Sequence, residues 1–143
     1  MWNTINKVML GVILLFLSVM DIRTKRICIW PLLLPAGSGL FYLFMQEENS
    51  YVTLLAVVVL FFALFGVSKA TGGEIGAADA VAVGVMGIVV CIIPTIEILF
   101  LSVLGAALVG GGMLVFRRAG RKTTIPFYPF LTAAYIGVMV WHR

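Results

Sequence analysis

The sequence predicts an all-α, polytopic membrane protein of six transmembrane helices, with both termini outside and one domain over residues 1–143. Composition is the first reason. Of the 143 residues 62% are hydrophobic and 11% charged, with a mean hydropathy of +1.14. Soluble domains are about half apolar and about a quarter charged. A chain this short keeps much of its surface in solvent, so one core cannot hide that excess. The second reason is patterning, because the apolar residues fall in runs near the roughly 20 that a helix needs to cross a bilayer core of about 30 Å. The third is charge, since the basic residues cluster between these runs.

The first run, residues 5–20, carries Lys7 close enough to its end to snorkel to the interface. It ends in Asp21-Ile22-Arg23 rather than in a small-residue cleavage site, so it reads as a retained helix and not a secretory leader. The second, 27–45, holds Pro31 and Pro35 in its first half, where a kink is expected. A polar turn at 46–50 with Glu47 and Glu48 leads to the third, 51–67, which is almost wholly apolar. Residues 68–78 form a Gly-rich connection with Lys69 and Glu74. The fourth helix is expected over 77–93, a tight turn at Pro94-Thr95, and the fifth over 96–116. Gly110-Gly111-Gly112 would let the fifth bend or approach a neighbour closely. The basic loop 117–124 precedes the sixth helix, 125–141, and His142-Arg143 follow it.

Six crossings place Arg23, Lys25, Arg26, Lys69, Arg117, Arg118, Arg121 and Lys122 on one side and only Lys7 and Arg143 on the other. The basic side is cytoplasmic by the positive-inside rule, which implies a multi-pass protein of the cell inner (plasma) membrane. The net charge of +4 is therefore topogenic and turned toward anionic lipid; no nucleic-acid partner is expected. Trp2, Trp30, Tyr51 and Trp141 fall near helix ends, as interfacial aromatics do. Cys28 and Cys91 have no CxxC spacing and read as small packing residues, with neither a metal set nor a disulfide.

Six acidic residues remain to be explained. Glu47, Glu48 and Glu74 read as solvated loop residues, and Glu97 as an acid complementing a helix start. The only histidine, His142, lies at a terminus and is a poor catalytic candidate. Asp21 and Asp79 differ. One closes the first helix and the other opens the fourth, so alternation alone brings both to the cytoplasmic surface. Two carboxylates at one depth can share a proton, one acting as general base on water and the other as general acid. Asp79, at a helix N-terminus, is the expected base. The plain alternative is two independent interfacial aspartates, each capping a helix or pairing with Arg23 or Lys25. Equal depth does not make the two helices neighbours.

Three segments resemble the type IV prepilin peptidases. Asp21-Ile22-Arg23-Thr24-Lys25-Arg26-Ile27 is similar to the family's first aspartate motif. Gly76-Ala77-Ala78-Asp79, after Thr71-Gly72-Gly73-Glu74-Ile75, resembles its Gly-x-Gly-Asp motif. Ile125-Pro126-Phe127-Tyr128-Pro129-Phe130-Leu131 matches its late Ile-Pro-Phe-x-Pro-Phe-Leu segment. The three agree in order and spacing over most of the chain, and the last is the most specific. Three departures stand beside them. Cys28-Ile29 takes the place of Pro-Asn, Ala78 that of the second motif glycine, and Ala80-Val81-Ala82 that of Val-Lys-Leu.

The resemblance implies a membrane aspartic endopeptidase that cuts the leader from type IV prepilin-like precursors at the cytoplasmic face, in pilus biogenesis or protein secretion. It implies Asp21 and Asp79 as catalytic residues. Gly72, Gly73 and Gly76 would form a loop that admits substrate or an ordinary interhelical turn. Pro126 and Pro129 would contact substrate or simply fix the start of the sixth helix. Larger family members add a cytoplasmic domain with paired cysteines and methylate the product; here a peptidase-only form is expected, with no cofactor and no metal. The other classes are a catalytically inactive membrane subunit assisting pilus or secretion-system assembly, and a small transporter. The transporter is weakened because no acid lies near a predicted midplane. The expected partners are the precursor and membrane lipid, with oligomeric state open.

Overall fold

The computed structural model describes residues 2–24, 28–45, 50–70, 77–115 and 126–142. Long apolar runs free of interior proline become helices, and proline or polar clusters end them. The elements are α1 (Trp2–Thr24), a 3-10 turn (Trp30–Leu32) running into α2 (Leu33–Met45), α3 (Ser50–Ala70), α4 (Ala77–Val90), α5 (Ile92–Val115) and α6 (Tyr128–Trp141). Among the described residues there is no strand. Lys25, Arg26, Glu47, Glu48, Glu74 and the basic loop 117–124 lie outside the described residues.

Several boundaries move for identifiable reasons. Pro31 lies in the 3-10 turn and Pro35 in the first turn of α2, so both prolines start the helix instead of kinking it. The first turn is where a missing N–H costs nothing. The fourth and fifth helices part at Cys91, not at Pro94-Thr95. Cys91 has φ 77°, a left-handed conformation that reverses the chain in one residue. Its carbonyl accepts hydrogen bonds from the Thr95 amide at 3.4 Å and from Thr95 Oγ1 at 2.7 Å, and Pro94 fits the first turn of α5. Cys28 and Cys91 are both exposed, so neither packs in the core as expected. At Gly111 and Gly112 an added Cβ would meet open space, so α5 makes no close approach there.

Three stretches, Thr4–Thr24, Tyr51–Ala70 and Ile92–Met113, are long and apolar enough to cross a membrane. The others are shorter, with α4 and α6 at 14 residues each, about 21 Å of helix. Burial explains how a short helix persists. Ala80, Ala82, Val83, Val85, Met86, Val89 and Val90 are all buried, so α4 is the central post, apolar on every side. Around it, α3 and α2 come close at glycines. A Cβ on Gly87 would lie 2.6 Å from Val57 Cγ2, and one on Gly39 would lie 2.9 Å from Ile88 Cγ2. Leu10, Leu14 and Leu17 of α1 meet Leu131, Tyr135 and Val138 of α6 in the same core. The outer surface carries many large apolar side chains: Leu55 and Phe62 on α3 and Phe100 and Leu108 on α5 stand exposed. Such a continuous apolar exterior is foreign to soluble monomers. Trp30, Tyr51 and Trp141 are exposed at helix ends.

Two outcomes test this packing. Gly87→Ile should lower stability by about 1–3 kcal/mol through overpacking against Val57, while Gly111→Ala should be neutral; thermal unfolding in detergent compares them. At the turn, Cys91→Gly should raise stability by about 1 kcal/mol by relieving the left-handed cost, and Cys91→Val should lower it by a similar amount.

Candidate functional site

The site begins with the N-terminus of α6. The first residues of a helix carry amide donors with no partner inside the helix. The Pro-Phe-Tyr-Pro-Phe sequence disposes of all but one. Pro129 has no N–H, and the amides of Phe130 and Leu131 both reach the Phe127 carbonyl at 3.1 Å. The Tyr128 amide is left, and it donates to Asp21 Oδ2 at 3.2 Å. Asp21 lies in the last turn of α1, with only 7% of its surface exposed. A buried carboxylate needs such donors, because unrequited burial of its charge is costly. Asp21 is thus a cap supplied from another helix, 107 residues away in the chain.

The side chain of Tyr128 completes the junction. It is fully buried, and its hydroxyl donates to the Ala78 carbonyl at 3.0 Å. Ala78 immediately precedes Asp79 in the first turn of α4. One residue therefore ties the Asp21 carboxylate to the helix start that carries Asp79. Asp79 is half-buried, and its Oδ1 is shut off from solvent. Deeper in the bundle Thr132 Oγ1 shares its proton between the Tyr128 carbonyl of its own helix at 2.8 Å and the Leu14 carbonyl at 3.1 Å, and the Tyr135 hydroxyl donates to the Lys7 carbonyl at 2.8 Å, fixing α6 along α1.

Both aspartates thus lie at one end of the bundle, on helices that touch the same tyrosine. The dipole argument that made Asp79 the base loses its force, because the Asp21 carboxylate also faces a helix N-terminus, that of α6. Pro126 and Pro129 flank this turn and are half-buried; Pro129 contributes by withholding an amide. Gly72, Gly73 and Gly76 lie outside the described residues. Tyr128 was not singled out by the motif, where it fills a variable position. The signal was present, however: a helix opening with Tyr-Pro has one orphan amide to satisfy. At the opposite end, cavities of about 610 and 420 Å³ lie along α6, away from the aspartates. There His142 Nε2 pairs with Glu97 Oε2 at 2.7 Å; because α5 already starts at Ile92, Glu97 lies past its first turn and does not complement a helix start as expected.

No protein-family model, curated protein or solved structure matches this chain.

The junction makes separable predictions. Asp21→Ala should cost about 1–3 kcal/mol, as a lost cap and a stranded buried amide require, whereas Asp21→Asn keeps an acceptor and most of the stability. Tyr128→Phe should cost about 1 kcal/mol by removing the hydroxyl's bond to the Ala78 carbonyl. Thermal unfolding of the purified variants reads all three.

Proposed function

We propose that this chain is a multi-pass protein of the inner (plasma) membrane and an aspartic endopeptidase that removes the leader from type IV prepilin-like precursors at the cytoplasmic face. One observation carries the reading. Tyr128 bonds the Asp21 carboxylate through its amide and the residue before Asp79 through its hydroxyl, joining the two aspartate helices at one end. Three helices of spanning length and an apolar exterior support the membrane setting. The three motif segments support the substrate class.

In the reaction, one carboxylate takes a proton from water as its oxygen bonds to the scissile carbonyl carbon. The protonated partner then gives its proton to the leaving amine as the C–N bond breaks. Both carboxylates lie at a helix N-terminus, so the helix dipoles favour neither as the base. The apolar helix of the precursor would approach through lipid, and the bond to be cut would rest at the interface.

A second reading, a catalytically inactive membrane subunit in pilus or secretion-system assembly, has its own support. Asp21 Oδ2 already serves as the cap of α6, and the fully buried ring of Tyr128 lies at the junction where substrate has to fit. Co-expression with a prepilin-like precursor, followed on a gel, decides between them. The wild type should shorten the precursor. Asp21→Asn and Asp79→Asn should each slow cleavage about 100-fold or more while inserting normally. Cleavage at the wild-type rate by either variant defeats the peptidase reading, and an uncut precursor with the wild type favours the subunit.

A further inference from the structure

The larger cavity lies at the end of the bundle opposite the aspartates, between α1 and α6 where α4 gives way to α5, with a volume of about 610 Å³. Its cause is local. Gly11 has no side chain, so the Tyr135 ring lies against α1; a Cβ there would meet Tyr135 Cε1 at 3.3 Å. The Tyr135 hydroxyl reaches the Lys7 carbonyl, and the ring does not fill the groove beside it. The lining changes character along the helix axis. His142 follows the end of α6 and Lys7 lies in the second turn of α1, while Val8, Gly11, Ile136 and Val140 continue an apolar wall. From His142 to Ile136 is about 9 Å of rise, the depth of a headgroup and the first methylenes of a chain. Val8, Ile136 and Val140 are also exposed, so the groove opens sideways along the apolar exterior.

Charge selects the occupant. Among the described residues Lys7 has no carboxylate within 4 Å. The nearby acid, Glu97, is held by His142 and does not line this cavity. A lysine beside an apolar trough favours an amphiphile of net negative charge, because a zwitterionic headgroup brings a cation of its own that Lys7 repels. We propose that this groove binds one anionic phospholipid, its phosphate on Lys7 and the upper part of one acyl chain along Val8, Gly11 and Ile136. The site rests on the chain lying in a membrane and is independent of any peptidase activity.

The test is lipid retention by the purified chain in detergent, read by native mass spectrometry, with phosphatidylglycerol and phosphatidylcholine of identical acyl chains. The wild type should retain phosphatidylglycerol about fivefold over phosphatidylcholine, the worth of one interfacial cation. Lys7→Gln should bring the ratio to near one and Lys7→Arg should preserve it. Ile136→Trp should displace the lipid by filling the trough; Val140→Trp, at a more exposed position, does the same if the first variant folds poorly. A Lys7→Gln protein that keeps its preference overturns the site, because the basic loops at the other end would then be responsible. Retention unchanged by both tryptophans also overturns it, as does inorganic phosphate alone displacing the lipid. Loss of precursor cleavage has no bearing on these readouts, so the two proposals fail separately.

Discussion

The bundle depends on one interhelical cap, the Tyr128 amide donated to the Asp21 carboxylate. Helix α6 is only 14 residues long, too short to be stable through propensity alone. Its start has no side-chain cap of its own. Asp21 supplies one from α1, and the tyrosine hydroxyl then binds the first turn of α4. Three helices that are remote in sequence are fixed at a common level by two hydrogen bonds from a single residue. The apolar contacts below them, Leu14 and Leu17 against Leu131, set which faces meet. They do not set the level along the axis, because apolar packing is non-directional.

That cap also shapes what the carboxylates can do. A carboxylate excluded from solvent persists only where donors offset its lost hydration. Asp21 meets this condition at the positive end of a helix, and Asp79 occupies the corresponding position on its own helix. The arrangement places two acids and a phenol in one poorly hydrated junction, where electrostatic interactions are stronger than in water. The same arrangement serves stability, which is why the Asn variants carry more information than Ala: they keep an acceptor at the cap and remove only the ionisable group.

Much of this was legible in the sequence, and the remainder was hidden for physical reasons. Six apolar runs and their alternation put Asp21 and Asp79 at one end, and the helices obey that alternation. Adjacency of the two aspartate helices was not legible, because hydrophobic periodicity says which face is buried and not against what. The turn at Cys91 is not legible, because Pro94 is the visible breaker while the residue that turns the chain has an ordinary side chain in a left-handed backbone conformation. The shortness of α4 is hidden for a similar reason. An all-round apolar helix reads alike whether it faces lipid or neighbours, and only its contacts through Gly39 and Gly87 reveal the second case.

Unequal helix length connects these points. Helix α1 has 23 residues, about 35 Å, while α4 and α6 span about 21 Å. Asp21 lies three residues before the end of α1, so its level is about 4–5 Å inside the rim. The bonds of Tyr128 bring the N-termini of α4 and α6 to this level. Their peptide dipoles therefore converge with the carboxylates beneath the surface and not in bulk water. Placing the junction below the rim is what lets one tyrosine hold both acidic helices, and it follows from where the short apolar runs begin.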